Sequence, residues 1–139
     1  MEERAKAEFR AMRETVGISQ NALAASLGVQ PRTLRRWEAE EERWEPPEDA
    51  WEELDALRAD QERVVGFAVR KALSIREEMG GEPAEVVLPY PQGRDAETSM
   101  RRANARLCAD RLRRHGLAVR FAAPDESDAL RMAMEARAE

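Results

Sequence analysis

Apolar residues recur at helical spacing near the start of the chain and predict three short helices, over residues 4–16, 20–27 and 30–39. Ser19 is placed to cap the second helix, because its hydroxyl can accept a hydrogen bond from a free amide of the first turn. Gly28 permits the left-handed backbone that a sharp turn after this helix needs. The pattern therefore predicts two short helices joined by a glycine turn.

Two more helices are predicted after the diproline at residues 46–47. The first begins at the prolines and buries Trp51, Leu54 and Leu57. The second covers residues 60–79 and ends at the glycine pair that follows. Its apolar stripe consists of Val64, Ala68, Ala72, Ile75 and Met79. We therefore expect an all-helical N-terminal half.

The period of the pattern changes in the second half of the chain. Residues 86–88 form a short apolar run between prolines, which indicates a buried strand, and a helix is predicted over residues 96–115. A half-buried strand follows, in which three apolar residues alternate with others: Leu117, Val119 and Phe121. This order predicts parallel strands joined by a helical crossover. Residues 125–138 predict a closing amphipathic helix, so the expected fold class is α+β, mostly α.

Charge is distributed unevenly in this acidic chain, whose formal net charge is −5. Arg32, Arg35 and Arg36 lie in the third predicted helix, with no acidic residue between positions 30 and 37. The stretch 94–120 carries eight basic and three acidic side chains. A net negative charge argues against nonspecific coating of nucleic acid, whereas a local positive patch can still meet phosphates.

The composition argues against several function classes. Cys108 is the only cysteine, which excludes an intrachain disulfide and multi-thiolate metal sites and favours a reducing, cytoplasmic location. No apolar run approaches the roughly 20 residues that a bilayer span requires, so we expect no membrane partner. No acid, base and nucleophile are arranged as a catalytic set, so we expect neither an enzyme nor a cofactor.

Two single residues each have a structural and a functional interpretation. Cys108 falls near the apolar stripe of its helix, which predicts a small buried side chain, with a redox sensor as the alternative. His115 stands at a helix C-terminus, where a cation interacts favourably with the helix dipole. A catalytic role for this histidine has no neighbouring nucleophile to support it.

The third predicted helix carries side chains suited to reading DNA. A helix in the major groove presents its exposed side chains to base edges, and arginine forks onto guanine as glutamine does onto adenine. Leu34 and Trp37 are predicted to point inward. The positions left near the outer face include Gln30, Arg32, Thr33, Arg35 and Arg36. These five are the candidate DNA-contacting residues of this helix.

Several short elements keep the spacing of one family of DNA-binding proteins. They are Arg13, Ile18-Ser19-Gln20, Leu23-Ala24, Leu27-Gly28-Val29, Thr33-Leu34 and Trp37-Glu38. With them, residues 5–57 resemble the Cro and phage-repressor type of helix-turn-helix, the XRE family. The resemblance implies that Gln20 binds a phosphate and that Arg13 forms a buried ion pair with Glu38. It also implies base or phosphate contacts for Gln30, Arg32, Arg35 and Arg36.

The chain departs from the family pattern at two places. Pro31 replaces a residue that often contacts a base, so readout at that position would be apolar only. The acidic tract 40–45 would repel DNA if it lay close to the duplex. The overall layout resembles anti-CRISPR-associated autorepressors, in which a helix-turn-helix precedes a small dimerisation unit that contains strands.

The predicted domains are a helix-turn-helix domain over residues 1–59 and a C-terminal helix plus β-α-β-α dimerisation unit over residues 60–139. Two strands do not make an independently stable sheet, so the unit is expected to complete itself on the N-terminal helices or on a second copy. We therefore predict a homodimer. Strand pairing within one subunit and between subunits both stay open.

These features lead to two hypotheses about function. In the first, a homodimeric, sequence-specific regulator reads an inverted-repeat operator in double-stranded DNA and acts as a repressor or autorepressor of transcription. In the alternative, an antitoxin-like chain neutralises a toxin-like partner and represses their shared operon. The arginines of helix 96–115 are either a second phosphate-binding surface or, as we favour, a solvated face or a set of partners for the acidic residues 46–63.

Overall fold

A computed structural model describes residues 4–81 and 85–124 of the chain. The chain divides into two compact units, Met1–Gln61 and Glu62–Glu139, here called the N-terminal and C-terminal units. The described residues form five helices and one two-stranded sheet, which confirms the expected α+β, mostly α fold class. None of these helices combines the length and the apolar content that crossing a membrane would require.

The N-terminal unit is built from three short helices and the start of a long one. These are α1 (Lys6–Val16), α2 (Gln20–Leu27), α3 (Pro31–Glu38) and α4 (Glu48–Glu78). The three short helices lie where the sequence predicts them, and Gln30 and Ala39 are the two residues that cap α3. The fully buried side chains of this unit include Phe9, Leu23, Leu34 and Leu54.

Helix α4 corrects the prediction of two separate helices on either side of residue 59. It runs without a break from Glu48 to Glu78. The residues between Leu57 and Gln61 include no glycine or proline, and each is compatible with a helix, so no local signal ends the first segment.

The buried side of α4 in the C-terminal unit also differs from the predicted stripe. Val65 and Val69 are buried, whereas Val64 is 45% exposed and Met79 is 57% exposed. Both rows of residues are apolar, and the sheet and α5 pack against the row that contains Val65 and Val69. Periodicity alone does not choose between two neighbouring apolar rows.

The C-terminal unit continues with β1 (Glu85–Pro89), α5 (Ala96–Arg114) and β2 (Ala118–Ala122). The strands pair in parallel within one chain, in a register that runs from Glu85 opposite Ala118 to Pro89 opposite Ala122. The predicted parallel crossover is therefore confirmed. The predicted helix over residues 125–138 lies outside the described residues.

The core of the C-terminal unit joins α4, α5 and the sheet. Its buried members are Val65, Val69, Leu88, Cys108, Ala109, Leu112 and Leu117. Cys108 is buried as predicted. On the apolar side of the predicted half-buried strand, Leu117 is buried and Val119 is partly buried, whereas Phe121 is 36% exposed. Its ring lies against Tyr90, with centroids 5.2 Å apart, at the open end of a sheet of only two strands.

Candidate nucleic-acid interface

Local signals in the sequence fix the ends of α2 and α3. The Ser19 hydroxyl accepts a hydrogen bond from the Ala22 amide at 3.0 Å and caps α2. Gly28 ends this helix with φ of 72°, a conformation that a residue with a side chain adopts only under strain. Pro31 begins α3, where its missing N–H costs no helical hydrogen bond. The turn between the two helices therefore follows directly from residue type.

Helix α3 has one buried face and one exposed basic face. Leu34, Trp37 and Glu38 are buried. Arg32, Arg35 and Arg36 are exposed and share one side of the helix, because Arg35 and Arg36 follow Arg32 by three and four residues. Within the described residues these three guanidinium groups have no hydrogen bond and no ion pair. The basic face formed by Arg32, Arg35 and Arg36 is therefore available to an anionic partner.

An aromatic cluster packs against the buried face of α3. The Phe9 ring meets the edge of Trp37 at a centroid distance of 6.5 Å and that of Trp51 at 5.0 Å. All three rings are buried. Edge-to-face pairs of this kind add specific geometry to apolar burial, so they restrict how α3 can rotate against α1 and α4.

A buried ion pair holds the C-terminal end of α3. Arg13 Nε lies 2.6 Å from Glu38 Oε2, and Arg13 Nη2 lies 2.9 Å from Glu38 Oε1. Arg13 Nη1 donates to the Ile18 carbonyl at 3.0 Å, and Gln20 Nε2 donates to Glu38 Oε1 at 3.0 Å. The Glu38 carboxylate thus links α1, α2 and α3. The structure brings Arg13, Gln20 and Glu38 into a single hydrogen-bonded group.

Lys6 adds a second attachment at the same end of α3. Its Nζ donates to three carbonyl oxygens, those of Arg36 at 3.1 Å, Ala39 at 2.9 Å and Glu42 at 2.5 Å. A cation at a helix C-terminus satisfies free carbonyls and interacts favourably with the helix dipole. Lys6 is not among the functional residues predicted from the sequence. The signal was its spacing, since Lys6 lies seven residues before Arg13 and so on the same side of α1.

The arginines of α5 differ from those of α3 in having partners inside the C-terminal unit. Arg111 forms a two-pronged pair with Glu62, with both distances 2.8 Å, and this carboxylate raises the pKa of Arg111. Arg101 pairs with Glu97 and Arg114 with Asp110. These contacts favour the acid-paired interpretation of α5 over a second phosphate-binding surface.

Comparison with known proteins agrees with this geometry. Residues 9–44 match the helix-turn-helix family model. These residues form a Cro-type helix-turn-helix. No curated protein and no solved structure gives a significant match to the chain. The matched segment of the helix-turn-helix contains α2, the glycine turn and α3, and it ends within the acidic tract 40–45.

The remaining candidate residues lie in the first turn of α3 and in the acidic tract that follows it. Gln30 is exposed at the N-cap of α3, and Thr33 is half-buried in its first turn. In the acidic tract, Glu40, Glu41 and Glu45 are exposed, and Trp44 is 54% exposed beside them. The Arg43 guanidinium lies 5.8 Å from the centroid of the Trp44 ring. The tract therefore carries both exposed acids and an exposed aromatic ring directly after α3.

Proposed function

We propose that this helix-turn-helix protein is a sequence-specific transcriptional repressor that acts as a homodimer and inserts α3 into the major groove of its operator. The observation that carries the proposal is the basic face of α3. In an acidic chain, Arg32, Arg35 and Arg36 form a cluster with no ion pair among the described residues, on a helix held rigidly from its other side.

The position of each side chain along α3 determines which part of the DNA we propose it contacts. In this class the N-terminal residues of the recognition helix meet base edges, so Gln30 and Arg32 are the proposed base contacts. Arg35 and Arg36 lie further along the same face and are proposed to contact bases or nearby phosphates. Each arginine that forks onto guanine discriminates against a wrong base by about 1–3 kcal/mol.

Gln20 is proposed to contact a phosphate from the start of α2. One N–H of its amide is used by Glu38. A primary amide carries two N–H donors, so the second can still reach a phosphate oxygen. In this arrangement the buried ion pair would fix the orientation of Gln20 before DNA binds, and the contact would need no rearrangement of the side chain.

Dimerisation is proposed to occur through the C-terminal unit. A sheet of two strands is marginal on its own, which supports a second copy as its stabilising partner. A two-fold dimer would present two α3 helices to half-sites about one helical turn apart, or a multiple of that spacing, on an inverted repeat.

The test is selection of binding sites from a randomised duplex pool, followed by anisotropy titration of the enriched duplex with excess unrelated competitor DNA. We expect an inverted repeat to be enriched and its binding to weaken steeply as salt rises. The triple variant R32A/R35A/R36A is expected to lose this binding.

The matched control is R101A/R106A/R114A, which removes three exposed arginines from α5 and changes the net charge equally. We expect this variant to keep nearly all of its operator affinity. Equal losses in the two triple variants would show binding governed by overall charge and would overturn the assignment of α3. Enrichment of no sequence at all would overturn sequence-specific recognition itself.

A further inference from the structure

The C-terminal unit contains an apolar groove between α4 and β1. The groove consists of two adjoining cavities of about 290 and 270 Å³, which share Ala68, Leu88 and Cys108. The first cavity lies towards Val64, and the second extends to Met79 at the other end of the helix. The groove therefore follows α4 over about 15 residues, which corresponds to roughly 22 Å.

The wall of this groove is the apolar stripe that the sequence predicts to be buried. All five stripe residues line it: Val64, Ala68, Ala72, Ile75 and Met79. Val64 and Met79, at the two ends of the stripe, remain more than two-fifths exposed, and Phe67, one turn from Val64 and not among the residues that line the groove, is 64% exposed. A row of large apolar side chains left in water marks a surface that another segment covers.

The chain itself leads into this groove. Pro124, which follows β2 and is the last residue described, lines the first cavity together with Val64 and Leu88. Residues 125–139 follow it directly. Their sequence predicts an amphipathic helix with Leu130 and Met134 four residues apart on one face.

The charges of residues 125–139 and of the groove are complementary. Residues 125–139 contain five acidic and two basic side chains, with three of the acids in the first four residues. The charged residues of the groove are mainly basic: Arg101 lines the first cavity, and Lys71 and Arg76 line the second, with Glu85. An acidic first turn would therefore meet Arg101 at the end of the groove where the chain enters.

We propose that residues 125–139 of the same chain dock in the groove as an amphipathic helix, with Leu130 near Leu88 and Met134 near Ile75. The docked segment covers the exposed ends of the α4 stripe, Val64 and Met79. This inference does not depend on DNA binding.

The test is a nuclear Overhauser experiment on the full chain with labelled methyl groups, in which Met132→Leu and Met134→Leu variants assign the two methionine signals. We expect cross-peaks from the Met134 ε-methyl to the methyls of Ile75 or Val86. Absence of these cross-peaks overturns the proposal. Cross-peaks seen only between differently labelled chains in a mixed sample assign the groove to a second copy and also overturn it.

Two variants provide an independent readout that uses binding of an anilinonaphthalene sulfonate dye. L130D/M134D places charge on the apolar face of the segment, and R131D changes the net charge by the same −2 at a neighbouring position. We expect a several-fold rise in dye fluorescence for L130D/M134D and none for R131D. Equal fluorescence in the two variants contradicts docking through this face.

Discussion

Glu38, the last residue of α3, accepts hydrogen bonds from Arg13 of α1 through both of its carboxylate oxygens, at 2.6 and 2.9 Å. Both side chains are buried. Removing two charges from water costs about as much as their attraction returns, so such a pair contributes more to a unique orientation than to stability. Here the orientation it fixes is that of α3.

Removing one member of this pair is expected to be costly. Arg13→Met leaves the Glu38 carboxylate buried without its counter-charge, and we expect the free energy of unfolding to fall by about 3–5 kcal/mol. The double variant R13M/E38L removes both charges and is expected to recover much of this loss. Urea titration followed by the fluorescence of Trp37 and Trp51, both buried in the same unit, measures these changes.

The control for this prediction is Arg10→Met on the same helix. Arg10 pairs with Glu14 at 2.7 Å, but both side chains are more than half exposed, so solvent screens the pair. We expect no measurable change in the urea midpoint for Arg10→Met. Equal destabilisation by Arg10→Met and Arg13→Met would contradict the importance of the buried position.

Lys6→Met tests the attachment of the α3 C-terminus by an ammonium group. Methionine keeps the apolar stem but removes the donor to the carbonyls of Arg36, Ala39 and Glu42. Hydrogen bonds that involve a charged group are each worth about 1.5–3 kcal/mol. Of the three that Lys6 donates, two are partly buried and one is exposed, so solvent weakens them. We therefore expect a loss of about 1–2 kcal/mol in unfolding free energy, together with weaker operator binding in anisotropy titrations.

The matched control is Lys71→Met, which removes the other lysine of the chain from an exposed position in the C-terminal unit. It changes the net charge equally and leaves α3 untouched. If Lys71→Met weakened operator binding as much as Lys6→Met, the effect would come from charge rather than from the hydrogen bonds at the end of α3.

Local signals made most of the N-terminal unit predictable from the sequence. Ser19, Gly28 and Pro31 act on the backbone at their own positions, so the ends of α2 and α3 follow from residue type. The basic face of α3 could also be predicted, because residues three and four apart share one side of a helix. The three carbonyls that Lys6 reaches could not, since they lie 30 to 36 residues further along the chain.

Packing against distant elements limited the prediction of α4 and β2. Two neighbouring rows of α4 are apolar, and only the placement of α5 and the sheet selects the row with Val65 and Val69 for the core. Phe121 alternates correctly for an inward position, yet its surroundings depend on how far the sheet extends. Periodicity identifies apolar faces, whereas burial requires a partner on the other side.

Two glycine-to-alanine changes are expected to act in opposite directions. Gly28 has φ of 72° with open space around its α-carbon, so Gly28→Ala introduces backbone strain alone, about 1–2 kcal/mol. Gly66 lies inside α4, where alanine is favoured by about 0.5–1 kcal/mol. The added Cβ would come 3.1 Å from the Nη1 atom of Arg70, the flexible end of a side chain that can move. Chemical denaturation followed by circular dichroism measures both; destabilisation by Gly66→Ala would show that Arg70 cannot move.

Stability is expected to depend on pH through the cap of α5. The Thr98 hydroxyl and amide both donate to the Asp95 carboxylate, at 2.7 and 3.1 Å, and they lower the pKa of Asp95. Because the folded-state pKa is lowered, this stabilisation is present above the unfolded carboxyl pKa of about 3.9 and is lost as pH falls through the folded-state pKa.

Comparison with Asp95→Asn isolates this effect, because asparagine can also cap a helix but does not titrate. We expect the difference in unfolding free energy between the two proteins to be constant near neutral pH. Below about pH 4, the protein with Asp95 is expected to lose stability relative to Asp95→Asn. Urea titrations at several pH values measure it. A difference that stays constant throughout the acid range would contradict the assignment of this dependence to Asp95.

Arg32 and Arg36 are expected to contribute to operator binding in different ways. Arg32 is in the first turn of α3, the part of a recognition helix that meets base edges, whereas Arg36 lies one turn further along. Arg32→Ala should cost about 1–3 kcal/mol of binding and relax the preference at one base position. Arg36→Ala should weaken binding to all sequences alike and reduce the slope of log affinity against log salt by about one, as loss of a phosphate contact does.

Titrations of each variant against single-base operator variants, repeated over a range of salt, separate the two effects. An unchanged base preference in Arg32→Ala would place that arginine on the phosphate backbone instead.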